Sequence, residues 1–162
     1  MADFSEIERA YRQFPDRVKS LMLSTVNPDG FPHASYAPFV MGRDREFYIF
    51  VSGLSTHTEN LKTTPRAGIL LIQDEGETNQ IFARQRLMYD CETTWVERHD
   101  PNWTGIADWF EQRFGSIITM LRQLPDFQIF RLKPVQGRFV LGFGAAYEVD
   151  RSNLERLIPT EN

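Results

Sequence analysis

Ser52, Gly53, Ser55, Thr56, His57 and Thr58 crowd into one short stretch between an apolar run and a polar one. Phe47 to Val51 reads as a strand, and the polar run reads as a short helix that stops before Pro65. At such a strand-to-helix turn, hydroxyls and free N–H groups meet the positive end of a helix dipole, which favours an anion. Gly53 permits a tight turn and a close backbone approach. The stretch therefore reads as the anion-binding corner of a cofactor site. The alternative reading is a plain helix cap, because Thr56 and Glu59 stand at capping-box spacing. The lysine of a P-loop is missing, so a nucleoside triphosphate site of that kind is not indicated.

Two further groups of residues bear on the same chemistry. Arg84 and Arg86 are two apart in a segment that reads as a strand, which puts both on one face. Planar guanidinium groups suit a phosphate or a haem propionate. Carboxylates such as Asp74, Glu75 or Asp90 are the alternative partners. His57 is a candidate for iron ligation, anion binding or proton transfer, or else a cap residue. His33, after a turn, and His99, in a polar loop, read as exposed. The three histidines show no recognised metal-ligand spacing. Cys91 is the single cysteine, which excludes an intrachain disulfide and a multi-cysteine metal site; it reads as a small apolar strand residue. No G-x-S-x-G nucleophile motif is present. Gly142-Phe143-Gly144 does not open a helix in a βαβ unit, and reads as a place where a backbone or flat ligand approaches a strand.

The elements that must position these groups follow from periodicity. Phe4 to Arg17 reads as a helix with Phe4, Ile7, Tyr11 and Phe14 on one face and a capping box at Ser5 and Glu8. Val18 to Val26 reads as a strand, Asn27-Pro28-Asp29-Gly30 as a turn, and Phe31 to Met41 as the returning strand. Pro38 argues that its position lies at an edge, a bulge or a strand start. After the turn at Gly42 to Arg45 comes the third strand. Ala67 to Gln73 and a long Asn79 to Glu97 are the next strands, joined by a polar turn. His99 to Trp103 reads as a loop, and Thr104 to Leu124 as the longest helix. Phe127 to Pro134 and Arg138 to Glu148 close the strand list, and Asp150 to Leu157 reads as a short helix. Hairpins without regular βαβ alternation favour an antiparallel barrel over a parallel sheet.

At 162 residues, one domain over 1–162 is expected. A net charge of −4 with no basic tract argues against nucleic acid. The N-terminus is charged and helical in pattern, unlike a signal peptide. No apolar run approaches the roughly 20 residues of a membrane-spanning helix. A soluble, cytoplasmic protein without a membrane partner is the expectation. Thirteen phenylalanines, five tyrosines and three tryptophans are hard to bury within one small barrel, so a symmetric homodimer is expected.

These motifs resemble a known family. Ser24-Thr25-Val26 with the Pro28-Asp29-Gly30 hairpin, Ser35-Tyr36-Ala37-Pro38-Phe39-Val40, and Ser52-Gly53-Leu54-Ser55 with His57-Thr58 and Asn60-Leu61 look like the FMN-binding split-barrel superfamily of pyridoxamine 5′-phosphate oxidases. Phe82-Ala83-Arg84-Gln85-Arg86-Leu87 and Gly142-Phe143-Gly144-Ala145 look like its haem-utilisation branch, of the HugZ/HutZ type. The resemblance covers about residues 15–149. It implies a mainly β (α+β) fold, a six-stranded antiparallel split β-barrel with flanking helices. It further implies a homodimer with cofactor sites at the subunit interface and a small-molecule ligand. The implied cofactor-binding positions are Ser35, Tyr36, Ser52, Ser55, Thr56, His57, Asn60, Arg84 and Arg86. FMN is the implied cofactor and flavin-dependent oxidoreduction the implied activity. Haem binding or degradation is the alternative, with His57 an iron ligand only in that case. Haem-degrading members carry an iron-ligating histidine in a C-terminal segment, and residues 147–162 hold none. A non-enzymatic, ligand-binding dimer is the third expectation.

Overall fold

The first helix, α1 (Phe4–Gln13), starts on Asp3, whose side chain accepts from the Ser5 amide while Glu6 returns a bond to the Asp3 amide. The capping box is thus Asp3 and Glu6 rather than Ser5 and Glu8. Pro15 converts the expected last turn into a separate 3₁₀ segment, Phe14–Arg17. The computed structural model describes residues 3–159.

Seven strands follow in an antiparallel sheet. They are β1 (Ser20–Val26), β2 (Pro32–Met41), β3 (Phe47–Ser52), β4 (Arg66–Ile72), β5 (Arg86–Val96), β6 (Phe127–Gly142) and β7 (Ala145–Glu148). The spatial order is β3-β2-β1-β4-β5-β6-β7, and β3 also pairs with β6. That pairing closes the first six strands into a barrel, as expected, with β7 an extra strand on β6. Pro38 sits where β2 changes partners: residues up to Pro38 face β1, and Phe39 to Met41 face β3. A residue without an N–H donor fits such a handover.

Inward side chains such as Leu23, Phe39, Ile49, Leu87 and Leu132 fill the barrel. At one end Tyr11 and Phe14 of the N-terminal segment pack on Phe139. There the Tyr11 hydroxyl bonds to that of Tyr89 and reaches the Leu154 carbonyl at 2.6 Å. Arg45, buried beside them, donates from Nε to the Tyr89 hydroxyl at 3.0 Å and stacks 4.3 Å from the Tyr11 ring centre. At the other end lies α2 (Thr56–Thr63). β3 is buried on both faces, because α3 (Trp103–Phe114) covers its outward Tyr48 and Phe50 with Trp103, Ile106 and Phe110. Burying each such aromatic contributes about 1.5–3 kcal/mol. In strand order β4 and β1 stand diametrically opposite β3 and its partner β6. Their side keeps Met22 46% and Tyr36 61% exposed.

Four segments differ from expectation. The 79–97 stretch is not one strand: Gln80 accepts from the Phe82 amide to form a 3₁₀ turn, and β5 begins at Arg86. The helix over 104–124 breaks at Gly115, whose φ of +82 suits glycine, into α3 and α4 (Ser116–Leu121). The strands proposed on either side of Pro134 are one strand, β6. Asp90 faces Gln136 while Cys91 faces Pro134, so Val135 is the extra residue of a β-bulge that accommodates the proline. Residues 150–157 are turns rather than a helix. The Leu157 amide bonds to Glu8 at 2.8 Å, and Val149 bridges to Leu157.

Candidate functional site

The turn between β3 and α2 satisfies most of its own donors. Ser52 Oγ accepts from the Leu54 amide at 3.1 Å and donates to Asp126 Oδ2 at 3.3 Å. The Gly53 amide donates to the Asp126 carbonyl at 2.7 Å. A Cβ on Gly53 would sit 2.9 Å from that oxygen, so the approach itself requires glycine. Thr58 Oγ1 donates to the Ser52 carbonyl at 2.6 Å. Ser55 is the N-cap without a side-chain capping bond, and the Thr56–Glu59 capping box does not form. Thr56 is exposed. The Asp126 carboxylate beside Ser52 makes this corner less electropositive than the sequence alone suggests.

His57 has a different setting. Its Nδ1 lies 2.9 Å from Ser35 Oγ, and Ser35 in turn donates to the Leu23 carbonyl at 3.3 Å. With the serine proton so used, Nδ1 carries the imidazole proton. Nε2 is then a bare lone pair, and it is buried without a partner. Burial, followed by nearby His33, lowers the His57 pKa below its ordinary value, so the ring is neutral at pH 7. Asn60 Nδ2 donates to Thr25 Oγ1 at 3.0 Å in the same polar layer under α2. Ser35, His57 and Asn60 therefore come together at one end of the barrel. Tyr36, one residue on, points to the opposite face of β2 and is exposed. His33, expected to be exposed, is half-buried.

Arg84 and Arg86 do not share a strand face, because Arg84 closes the 3₁₀ turn before β5. Arg84 Nε donates to the Gln73 carbonyl at 2.5 Å, and Nη1 pairs with Glu75 at 3.3 Å. Arg86 Nη1 donates to the Arg84 carbonyl at 2.8 Å. Carboxylate pairing, one of the alternatives open from the sequence, is thus realised for Arg84. Arg84 also lines a cleft of about 480 Å³ with Arg17, Lys19, Met22 and Leu70. This cleft opens beside the exposed β1–β4 side and sets three cations, with Asp74 and Glu77 among them, around an apolar floor. The sequence reading missed Arg17, Lys19 and Asp126. The two cations carried no periodic signal, since Arg17 ends the 3₁₀ segment and Lys19 precedes β1. Asp126 carried none, because it meets Ser52 only through the tertiary fold.

The sequence model of the pyridoxamine 5′-phosphate oxidase family matches residues 7–141. The chain belongs to that family. Within it, the heme oxygenase HutZ of Vibrio cholerae is 40% identical over 155 residues, which span 96% of this chain and 88% of that protein. The crystal structure of HutZ, described there as a heme storage protein, superimposes with a TM-score of 0.77 at 39% identity, covering 88% of this chain and 99% of that one. The crystal structure of Campylobacter jejuni ChuZ gives a TM-score of 0.85 at 33% identity, covering 94% of this chain and 63% of that one. The match places this member of the oxidase family in its haem-utilisation branch. No helix among the described residues is long and apolar enough to cross a membrane. Among the same residues, no group of three or more His, Cys, Asp or Glu is placed to hold a metal ion.

Proposed function

We propose that this protein binds haem and serves haem iron utilisation, with haem degradation as its candidate reaction. The observation that carries this reading is the 40% identity to heme oxygenase HutZ across 96% of the chain. FMN, the cofactor first expected, has support at the level of the family as a whole.

The residues around the cleft fit the walls and carboxylates of the group, not its iron. The cleft beside β1 and β4 offers an apolar floor at Met22 and Leu70 and cations for propionates at Arg17, Lys19 and Arg84. The unpartnered Nε2 of neutral His57 keeps a free lone pair, but it is buried under α2 at the other end of the barrel and does not line this cleft, so His57 would be an iron ligand only for haem bound at that end. Bound haem would itself supply the oxygen chemistry. The chain's part is to wall the porphyrin, neutralise its carboxylates and limit water. The exposed side at Met22 and Tyr36 gives a second copy of the chain a surface to pack on, and we propose a homodimer through it.

Titration of the purified protein with hemin, followed at the Soret band, tests the reading. Saturation at a fixed ratio per chain is the expected result. Loss of that band under oxygen and ascorbate would identify degradation, whereas a stable band would identify storage. A chain that takes up FMN stoichiometrically and shows no saturable hemin binding would overturn the proposal.

A further inference from the structure

A second cleft, of about 580 Å³, lies between α3 and the outward face of β3, β5 and β6. This is the side of the barrel away from β1 and β4. Tyr48 and Trp109 form an aromatic wall, their rings edge to face at 5.8 Å. Glycine at position 42 allows it, since a Cβ there would meet Tyr48 Cε2 at 2.7 Å and Trp109 Cζ3 at 3.3 Å. Arg131 stands in register between Tyr48 on β3 and Thr94 on β5. It forms no ion pair among the described residues; its guanidinium faces the Tyr48 hydroxyl, while its Nε is buried with no hydrogen-bond partner. A buried guanidinium N–H left unsatisfied is costly and uncommon. Beside the cleft, β2 and β3 are joined by a two-residue hairpin turn: Asp44 and Arg45 take φ of 55° and 56°, and the Glu46 amide donates to the Arg43 carbonyl at 3.0 Å.

We infer that this cleft binds an organic anion with a single carboxylate on a flat aromatic body. The fork of Arg131 matches a carboxylate. Tyr48 and Trp109 supply a surface for a ring. The volume suits a small ligand. Glu46, which accepts from the Tyr48 hydroxyl at 3.3 Å, lies at the site, and Asp44 and Asp100 also line it. Arg43 lines the cleft as well, so two arginines face three carboxylates; that balance disfavours a phosphate dianion or any polyanion and limits the class to a monoanion.

Indole-3-acetate is a suitable probe, and indole-3-acetamide is its neutral counterpart. Binding is followed by calorimetry and by backbone amide shifts. The expected result is saturable binding of the acetate at millimolar concentration or below, about tenfold or more tighter than the amide. Shifts should centre on residues 46–48, 105–109 and 131. Arg131→Gln should weaken the acetate about tenfold or more and leave the amide unchanged. Glu46→Gln should act with the opposite sign, tightening the acetate. Saturating hemin should not compete with it. Equal affinity for acetate and amide, indifference to both substitutions, the absence of saturable shifts, or displacement of the probe by stoichiometric hemin would each overturn the inference.

Discussion

Gly137→Ala is expected to destabilise the barrel severely, whereas Gly105→Ala is expected to stabilise it. A Cβ at position 137 would lie 2.6 Å from Tyr89 Cε1, nearer still to Cδ1, and 2.8 Å from the Met88 carbonyl oxygen. The oxygen is main chain in the β5–β6 ladder and cannot rotate aside. Tyr89 has little freedom either, because its hydroxyl is tied to Tyr11 and accepts from Arg45 at 3.0 Å. Relief therefore requires opening the ladder or breaking that network. Overpacking costs typically 1–3 kcal/mol, and the fixed neighbours place this site near the top, at about 3 kcal/mol. For a chain of 162 residues that corresponds to a fall in Tm of roughly 6–12 °C. At Gly105, in α3, an added Cβ meets nothing within 4 Å. Alanine there should contribute about 0.5–1 kcal/mol through helix propensity and reduced unfolded-state entropy. Thermal unfolding by circular dichroism reads both variants. Midpoints that move in the same direction, or a Gly137→Ala midpoint within about 2 °C of the parent, would refute the reasoning.

Three further outcomes follow from the site. The His57 pKa is lowered on folding, so the unfolded chain binds the proton more readily. The resulting stability is full above the ordinary value of 6.5 and is lost as the pH falls below it. His57→Gln should flatten that part of a Tm-against-pH profile, and an unchanged slope would contradict the burial argument. Arg84→Ala should weaken hemin binding about tenfold, from loss of a charge-assisted contact; equal Soret titrations for variant and parent would remove Arg84 from the site. Sedimentation should give twice the single-chain mass of 18.9 kDa, and Met22→Asp should return the chain to one copy. A parent that sediments as a single chain would rule out the proposed pairing.

The turns and alternation made the barrel legible. Asn27-Pro28-Asp29-Gly30 forms as expected: Gly30 adopts a φ of +84°, and the Asn27 side chain accepts from the Asp29 and Phe31 amides. Errors arose where local signals were settled by partners remote in sequence. Pro134 reads as a strand end, yet the bulge at Val135 lets β6 continue. The 150–157 segment has capping residues for a helix, but its Leu157 amide goes to Glu8 and its Leu154 carbonyl to Tyr11. For the site, Ser35, His57 and Asn60 were named together because the family resemblance carried them. The direction of Arg84 was not, since it depends on a break in β5 that only the Gln80 turn explains. The opposing carboxylate of Asp126 and the unpartnered Nε of Arg131 were invisible without the fold.

Closure of the barrel has a consequence for how the chain is made. Strand β3 pairs with β6, Phe47 against Leu132 and Ser52 against Phe127. During synthesis the β1–β2–β3 meander can assemble early, but its outer edge must wait for residues far downstream. Until they emerge, Phe47-Tyr48-Ile49-Phe50-Val51, all buried in the finished fold, has neither its ladder partner nor the cover of α3. A segment of this composition is an edge that invites intermolecular pairing. Such non-local closure is also slow relative to hairpin formation. Five residues buried in the mature protein are thus among those most in need of protection on the ribosome.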